Sequence, residues 1–395
     1  MKILWVKTDF LHPTNRGGQI RTLEMLRKLH RRHEIHYLAL DSGQSPEGPE
    51  RAAEYSSFHY SVAHATPSKT SPAFAAQLIR GLVSPLPVAV ERYKSIGMRR
   101  QIERLAAEHR FDAIVCDFLF PAVNVPELSH AVVFQHNVEA VIWERHARHG
   151  RTPLHRWYFR RQHQRMKAFE RQICLAAKRV IAVSPRDSDV FQSEYGLARV
   201  PWIPTGVDVD YFAPPPSPPE PLADLVFIGS MDWMPNIDSA QWFADAILPQ
   251  IRASLPDCRV AFVGRQPSAA VLELARRIPN FIVTGTVPDV RPWLHGGAVS
   301  IVPLRIGGGT RLKIYEAMAA GCPVVSTSIG AEGLDYTDGE NIVLADSPES
   351  FANACIGLIK DAGARLRIAS NARRLVVEKH SWDSVAAEFE EALFQ

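Results

Sequence analysis

The residues best suited to chemistry in this chain lie close together after its 300th position. An apolar run at residues 299–304 is followed by three successive glycines (Gly307, Gly308 and Gly309), by Thr310, and by a helical pattern. Glycines let a backbone approach a ligand closely, and the unpaired N–H groups at the start of a helix attract an anion. Thr310 is a residue type suited to cap that helix. The spacing therefore predicts a phosphate-binding turn between a strand and a helix.

Charged side chains surround this turn. Arg305, Arg311 and Lys313 could add full positive charges to the helix dipole. Helical spacing groups Glu316 with Leu312, Tyr315 and Ala319, and we expect that face to be buried. A buried carboxylate needs hydrogen-bond partners, which the hydroxyl groups of a ligand would supply. A glycine-rich turn without a ligand is the alternative, but it would not require the cations and the acid as well.

These residues resemble the C-terminal half of a retaining glycosyltransferase of the GT4 group, which has the GT-B architecture. The run GGGTRLK at 307–313, followed by EAMA at 316–319, is similar to one subgroup. The resemblance implies that this segment lies at the diphosphate and ribose of a nucleotide-sugar donor, and that Glu316 binds the ribose hydroxyls. Most of the family has a second glutamate eight positions earlier, where this chain has Gly308. This departure implies either that the backbone amides of the turn replace the glutamate or that activity is lost.

Length and composition fit a two-domain protein without a membrane span. The chain has 395 residues, 46% of them hydrophobic, and no apolar run reaches the roughly 18 residues that cross a bilayer. The apolar start is interrupted at Lys7, too early for a signal peptide, so we expect a cytoplasmic protein. The five cysteines lack metal-ligand spacing and are predicted to be free thiols. A net charge of +3 is too small to indicate nucleic-acid binding.

Short apolar runs alternate with longer helical patterns in both halves of the chain. The predicted strands are 3–6, 35–40, 113–116, 132–135 and 180–184, then 225–229, 260–264, 281–285, 299–304 and 323–327. This alternation predicts an α/β fold with two Rossmann-like, doubly wound parallel-sheet domains. The resemblance adds the GT-B arrangement, in which the two domains face each other across a cleft.

A proline-rich segment separates the halves. Residues 213–221 contain six prolines in nine positions, which is typical of a stiff connector. We predict an N-terminal, acceptor-side domain at 1–205 and a donor domain at 206–380. The resemblance implies that the last helix, 381–395, returns to the N-terminal domain, whereas the sequence alone also permits a simple C-terminal cap.

Two features of the N-terminal half are candidates for the same site. Gly17 and Gly18 precede a helical pattern, and the resemblance places them against the donor phosphates; an ordinary tight turn is the alternative. His136 follows a strand and aligns with the family histidine that contacts the donor sugar, although histidines at strand ends are more often structural. Other polar residues near strand ends could be functional, or could only cap helices and form salt bridges: Glu139, Glu170, Ser184 and Arg186.

The turn after residues 225–229 lacks a feature of the family. Many members have an arginine and a lysine there to hold the diphosphate, and this chain has neither. Arg311 and Lys313 are the nearest substitutes for these charges, which would be needed beside Gly229. The loop at 284–290 matches the one whose backbone, around Val287, contacts the nucleobase in the family.

A basic segment completes the list of candidates. Between Arg145 and Arg171 there are nine arginines or lysines and one acid, interleaved with aromatic residues. A solvated basic helix is the simplest interpretation. A membrane surface is the second, because apolar residues and prolines at 78–90 could join the same surface. Nucleic acid is the third, and no known binding module supports it.

The sequence thus predicts a retaining glycosyltransferase that moves a sugar from a nucleoside-diphosphate donor to a hydroxyl of a saccharide or lipid-linked acceptor. Bacterial surface polysaccharide or glycolipid assembly is the expected process, with contact to the inner membrane surface as an added expectation. No cofactor or metal is expected, because no Asp-x-Asp motif follows a strand. Two alternatives are a donor-binding protein without transferase activity and an epimerase or hydrolase of the same architecture. The predicted catalytic residues are His136, Lys313 and Arg311, and the predicted donor-binding residues are Gly17, Gly18, Gly229, Val287, Gly307, Gly308, Gly309, Thr310 and Glu316.

Overall fold

A computed structural model of the chain describes residues 1–14, 17–43, 45–65, 84–148, 152–217, 219–306 and 312–394. The chain divides into two compact units. The first contains Met1–Pro204 together with Ala386–Gln395, and the second contains Thr205–Val385.

The first unit contains a parallel sheet of six strands, β1 to β6, in the spatial order β3-β2-β1-β4-β5-β6. This is the doubly wound order, in which β2 and β3 are added on one side of β1 and the strands from β4 onward on the other side. The strand reversal is the point between β1 and β4 where the order changes side. Ligands of such sheets bind at the carboxyl ends of the strands beside that reversal. The strands are β1 Lys2–Lys7, β2 Glu34–Asp41, β3 Phe58–Ala63, β4 Ala113–Asp117, β5 Ala131–Phe134 and β6 Arg179–Ile181.

Helices cover this sheet and pack their apolar faces on it. Leu4, Val6 and Val133 of the strands form one cluster with Met98 and Met166 of the helices, all buried. The helices are α1 Gly17–Leu29, α2 Glu47–Glu50, α3 Val88–Glu91, α4 Ile96–Glu108, α5 Glu139–Arg148, α6 Pro153–Ala176 and α7 Pro185–Tyr195. Short 3₁₀ turns lie at Ala52–Glu54, Phe120–Asn124 and Leu128–His130.

The second unit repeats the same topology. Its six parallel strands have the order β12-β11-β10-β7-β8-β9, so the reversal lies between β7 and β10. The strands are β7 Ala223–Ile228, β8 Val260–Val263, β9 Phe281–Val283, β10 Gly297–Val302, β11 Val324–Ser326 and β12 Val343–Leu344. The helices are α8 Met234–Trp242, α9 Leu248–Ser254, α10 Ala269–Arg277, α11 Arg291–His295, α12 Leu312–Ala319, α13 Pro348–Lys360 and α14 Ala362–Lys379. A π-helical segment, Phe243–Ile247, lies between α8 and α9.

The last helix, α15 (Trp382–Phe394), starts in the second unit and ends among residues of the first. Its Phe389 packs against two aromatic rings of the first sheet, with ring centroids 5.5 Å from Trp5 and 4.9 Å from Phe134. Apolar contacts of this kind hold the end of the chain on the first unit.

The α/β prediction with two doubly wound parallel sheets is confirmed, and each of the ten predicted strands is present within one to three residues of its expected ends. Two edge strands were not predicted. The side chains of β3 are mostly exposed, so it has no apolar run, and β12 is only two residues long.

No helix in the described part of the chain is long and apolar enough to cross a membrane. The five cysteines are buried free thiols, as predicted.

Candidate functional site

In the second unit, Lys313 reaches the turn that follows β7. It lies in the first turn of α12, and its Nζ is 3.3 Å from Asn236 Oδ1 and 4.0 Å from the centroid of the Phe227 ring. A Cβ at Gly229 would lie only 2.7 Å from Nζ. Gly229 therefore leaves the space that the ammonium group needs. A lysine from the helix after β10 thus supplies positive charge at a turn that has no cation of its own.

The turn itself is tightly packed. Asn236 Nδ2 donates to the Ser230 carbonyl at 2.7 Å, which ties the start of α8 to the turn. A Cβ at Gly264 would lie 1.8 Å from the Gly229 carbonyl oxygen, so the ends of β7 and β8 can approach this closely only because residue 264 is a glycine. This packing fixes the backbone against which Lys313 lies.

Glu316 is one helical turn beyond Lys313 and is partly buried. Burial raises the pKa of its carboxyl to about 7, and the nearby Lys313 acts in the opposite direction. Within the described residues the carboxylate has no hydrogen bond and no ion pair, whereas a recessed acid usually has partners. Its two oxygens are therefore available to accept hydrogen bonds from a ligand.

Two other cations near the described part of this site, Arg305 and Arg265, have partners elsewhere. Arg305 forms a two-pronged ion pair with Asp238, with N···O distances of 3.1 and 2.6 Å, and its guanidinium lies over the ring of Trp242. Arg265 donates to Ser230 Oγ at 3.1 Å on the exposed side of the turn. Lys313, and neither of these arginines, is thus the cation that the fold brings into contact with Gly229.

An open pocket of about 300 Å³ lies where β10 and β11 end, and it is lined by Arg305, Ile306, Ser328, Ile329 and Glu332. Val287 packs on the same sheet, against the cluster of Val226, Ala261 and Val263. The glycine turn (Gly307, Gly308 and Gly309), Thr310 and Arg311 lie outside the described residues.

In the first unit a buried carboxylate collects three donors. Asp117, the last residue of β4, is fully buried, and its Oδ2 lies 2.7 Å from Lys7 Nζ, 2.7 Å from Thr22 Oγ1 and 3.1 Å from Trp5 Nε1. Lys7 ends β1, so the ion pair lies at the strand reversal of the sheet. The neighbouring cation Lys7 and the hydrogen bonds hold the pKa of Asp117 well below its usual range, although burial opposes them.

His136 lies against the other oxygen of this carboxylate. Its Nε2 is 2.7 Å from Asp117 Oδ1, a close contact in which the N–H direction is not aligned with the oxygen, and neither buried atom forms a hydrogen bond of good geometry with any other described residue. The Phe118 ring stacks on the imidazole with centroids 3.8 Å apart. Burial lowers the pKa of His136 to about 4, even though Asp117 acts to raise it, so the ring is neutral at pH 7.

The two N-terminal glycines lie beside this histidine. The sequence suggested that they precede the helix, whereas Gly17 and Gly18 form the first turn of α1. A Cβ at Gly18 would lie 2.6 Å from Phe118 Cζ and 3.8 Å from His136 Nδ1, while one at Gly17 would meet nothing within 4 Å. Gly18 therefore lets α1 begin against Phe118 and His136, and Gly17 faces open space.

Other polar residues near the strand ends have structural partners. Glu170 accepts hydrogen bonds from the backbone N–H of Glu139 at 2.9 Å, that of Ala140 at 3.0 Å and the Tyr195 hydroxyl at 2.7 Å. It thereby caps the start of α5 from the neighbouring helix α6. Ser184 caps α7 in the same way, by accepting from the Asp187 N–H. Helix capping explains these two residues.

The basic segment is mostly helix α6, and its first half is exposed. Leu154 is 69% exposed and Trp157 is 53% exposed, and exposed arginines such as Arg156 and Arg160 lie beside them. This helix surface thus combines apolar and cationic side chains.

Sequence patterns missed Trp5, Lys7, Thr22 and Asp117. The available signal was the position of Lys7 and Asp117, each a charged residue that ends an otherwise apolar strand. In the part of the chain that the structure describes, no group of three or more His, Cys, Asp or Glu side chains could hold a metal ion.

Comparison with known proteins agrees with this architecture. The model of Glycosyltransferase Family 4 matches residues 15–211, and that of Glycosyl transferases group 1 matches residues 223–361. HepE of Anabaena, solved with UDP-glucose, has a TM-score of 0.65 over 100% of this chain and 99% of its own, at 15% identity. At that identity the likeness shows the fold alone.

Two curated relatives are similar in sequence. An uncharacterized 44.6 kDa protein in the cps region of Klebsiella pneumoniae is 21% identical over 96% of both chains. The D-inositol 3-phosphate glycosyltransferase of Paenarthrobacter aurescens is 27% identical over 51% of this chain, and the match spans only 54% of that relative. With one family model on each unit and the doubly wound topology repeated in both, the chain belongs to the family 4 glycosyltransferases and is a glycosyltransferase of the GT-B fold.

Proposed function

We propose that this glycosyltransferase takes its sugar from a nucleoside-diphosphate donor and transfers it, with retention of configuration, to a hydroxyl group of a saccharide or lipid-linked acceptor. The donor diphosphate would lie at the Gly229 turn beside Lys313, and Glu316 would bind the ribose hydroxyls. Assembly of a surface polysaccharide or glycolipid is the process in which we place the reaction. The full-length similarity to a protein of the cps region supports this placement.

The observation that carries the proposal is the position of Lys313. Its ammonium group lies against Gly229, in the turn at the carboxyl end of β7, where doubly wound folds bind phosphates. A diphosphate leaving group gains negative charge as the glycosidic bond breaks, so a fixed cation there stabilises the transition state more than the bound donor. Arg311 is proposed to act with it.

Glu316 supports the same assignment from the other end of the donor. An unpaired, recessed carboxylate suits the two adjacent hydroxyls of a ribose, which are hydrogen-bond donors. The remaining donor contacts are assigned to the backbone of the 307–309 turn, to Thr310 and to the Val287 loop. In the first unit, His136 with Gly17 and Gly18 is proposed to contact the donor near the reacting carbon.

In this mechanism the departing phosphate accepts the proton of the attacking hydroxyl on the same face of the sugar. The protein then needs no nucleophile of its own, and its role is to orient the substrates and stabilise the leaving group. We propose that no metal ion takes part, because Lys313 and the turn supply the positive potential. Binding of the exposed surface of α6, with Leu154, Trp157 and the neighbouring arginines, to the inner face of the membrane would bring a lipid-linked acceptor to the enzyme.

A panel of radiolabelled nucleotide sugars tests the proposed function. Purified protein is incubated with each donor, alone, with a lipid extract, and with soluble saccharide acceptors. We expect label to move from one donor to an acceptor, with the anomeric configuration of the donor retained. Release of free sugar without acceptor, binding without transfer, or an inverted product would each contradict the proposal.

A further inference from the structure

Asp117 and its three donors are buried at the strand reversal of the first unit, beside the candidate catalytic residue His136. The carboxylate contacts the imidazole directly, with 2.7 Å between Asp117 Oδ1 and His136 Nε2. Its other oxygen is occupied by Lys7, Thr22 and Trp5. A network with charged members at this position does more than pack the core, because burying an ion pair costs desolvation that apolar side chains would avoid.

The network determines which nitrogen of the imidazole is protonated. A carboxylate only accepts hydrogen bonds, so the nitrogen facing it must carry the proton. At neutral pH the ring is uncharged, since burial lowers the pKa of His136 to about 4. The single ring proton is therefore on Nε2, and Nδ1 presents a lone pair.

Nδ1 has no partner within the described residues. This nitrogen is not fully buried, and it lies beside Gly18 in the first turn of α1. Phe118 stacks on one face of the ring, and Asp117 holds its opposite nitrogen, so the ring cannot turn away. The lone pair therefore has a fixed direction, and it can accept a hydrogen bond from a donor that binds there.

We infer that Asp117, anchored by Lys7, Thr22 and Trp5, is a positioning residue that fixes His136 in the tautomer with the proton on Nε2, so that Nδ1 accepts a hydrogen bond from a hydroxyl group of the substrate. The inference rests on the proposed function in placing substrate at His136. It also restricts the ligand chemistry at this point. A lone pair repels phosphate and carboxylate oxygens and accepts from a donor, so this point favours a sugar hydroxyl over the diphosphate.

The substitution Asp117→Asn tests this inference, because the structure dictates how the new amide must turn. Lys7 Nζ and Trp5 Nε1 can only donate hydrogen bonds, and both lie against the Oδ2 position. The amide oxygen must therefore take that position, which leaves the amide nitrogen facing His136 Nε2. An N–H group there forces the proton of the imidazole onto Nδ1. The donors to the Oδ2 position keep an acceptor and the tautomer reverses, while Lys7 loses its counter-charge, so thermal unfolding curves accompany the variant.

Nitrogen NMR of histidine-labelled protein reads the tautomer directly and needs no substrate. The chain has 15 histidines, so the His136 signals are assigned from their loss in His136→Gln. We expect a protonated Nε2 in the wild type and a protonated Nδ1 in Asp117→Asn. Thr22→Val is the matched control, because it removes one donor to Asp117 but keeps the carboxylate; its His136 should keep the wild-type tautomer. An unchanged tautomer in Asp117→Asn, or a reversed one in Thr22→Val, would overturn the inference.

Kinetics with deoxy-sugar donors then test the hydroxyl contact. Asp117→Asn should lower kcat/KM for the natural donor by about tenfold or more, because the reversed tautomer has an N–H group at Nδ1, where an acceptor is needed. One deoxy donor, lacking the hydroxyl that His136 binds, should be used equally well by wild type and variant. If the tautomer reverses but kcat/KM is unchanged, the hydroxyl contact is refuted. If no nucleotide sugar is used at all, the proposed function fails, while the tautomer result is unaffected.

Discussion

Replacing Lys313 by methionine should slow turnover without loosening donor binding to the same degree. Methionine is unbranched and only one atom shorter than lysine, and its thioether packs well against an aromatic ring, so it can occupy the place of the Lys313 stem beside Phe227. The change removes the ammonium charge beside Gly229 and the contact with Asn236 Oδ1. We therefore expect a folded protein that has lost one cation at the proposed diphosphate site.

The size of the effect follows from electrostatics. Two unit charges about 4 Å apart interact by roughly 4 kcal/mol at an effective dielectric constant near 20. If about half a unit of charge develops on the leaving oxygen in the transition state, the differential stabilisation is about 2 kcal/mol. Lys313 is partly exposed, and solvent screening reduces this figure toward about 1.4 kcal/mol. The expected loss in kcat is thus about tenfold to thirtyfold.

Steady-state kinetics with one donor, supported by thermal unfolding curves, provide the measurement. The matched control is Lys360→Met, which removes an exposed lysine at the end of α13 in the same unit and should leave kcat unchanged. A fall in kcat of less than about threefold for Lys313→Met, or a change confined to KM, would refute the assignment of Lys313 to the leaving group.

Further predictions concern Glu316 and the role of metal ions. Glu316→Gln should weaken nucleoside-diphosphate binding by about 1–3 kcal/mol in calorimetry, the scale of lost charged hydrogen bonds, and unchanged affinity would remove Glu316 from the site. The ratio of wild-type to Glu316→Gln affinity should increase from pH 6 to pH 8, because the carboxyl, with its pKa near 7, ionises in this window and then accepts two hydrogen bonds; a constant ratio would contradict this. In the unliganded protein the same raised pKa stabilises the fold at low pH, and this contribution should be lost as pH rises from 4.5 through 7. Transferase activity should survive EDTA, whereas a loss restored by Mg²⁺ or Mn²⁺ would show that a metal ion takes part.

Much of the fold could be predicted from the sequence because it depends on local patterns. Buried parallel strands are short apolar runs, and the helices between them have their own period, so ten strands could be located without the structure. Edge strand β3 could not, since its exposed side chains break the pattern. The sequence predicted doubly wound parallel sheets but not the order of their strands, because strand pairing depends on contacts between distant segments.

Part of the candidate donor site could also be predicted from local sequence. Lys313 and Glu316 lie three residues apart on one helix, so their shared face follows from helical geometry. That Lys313 reaches Gly229, 84 positions earlier in the sequence, depends on the pairing of β7 with β10. The sequence suggested that Lys313 supplies charge at this turn only because the arginine and lysine that many family members have there are missing.

The Asp117 network was decided by tertiary structure alone. Trp5, Lys7, Thr22, Asp117 and His136 come from three strand ends and one helix, and no spacing along the chain connects them. Lys7, Asp117 and His136 are each a single polar residue at or just after the end of an apolar strand, which by itself indicates nothing more than that end. Only the parallel pairing of β1 with β4 and β4 with β5 brings them together. Burial then lowers the pKa of His136, whereas the neighbouring Lys7 lowers the pKa of Asp117 against the effect of burial.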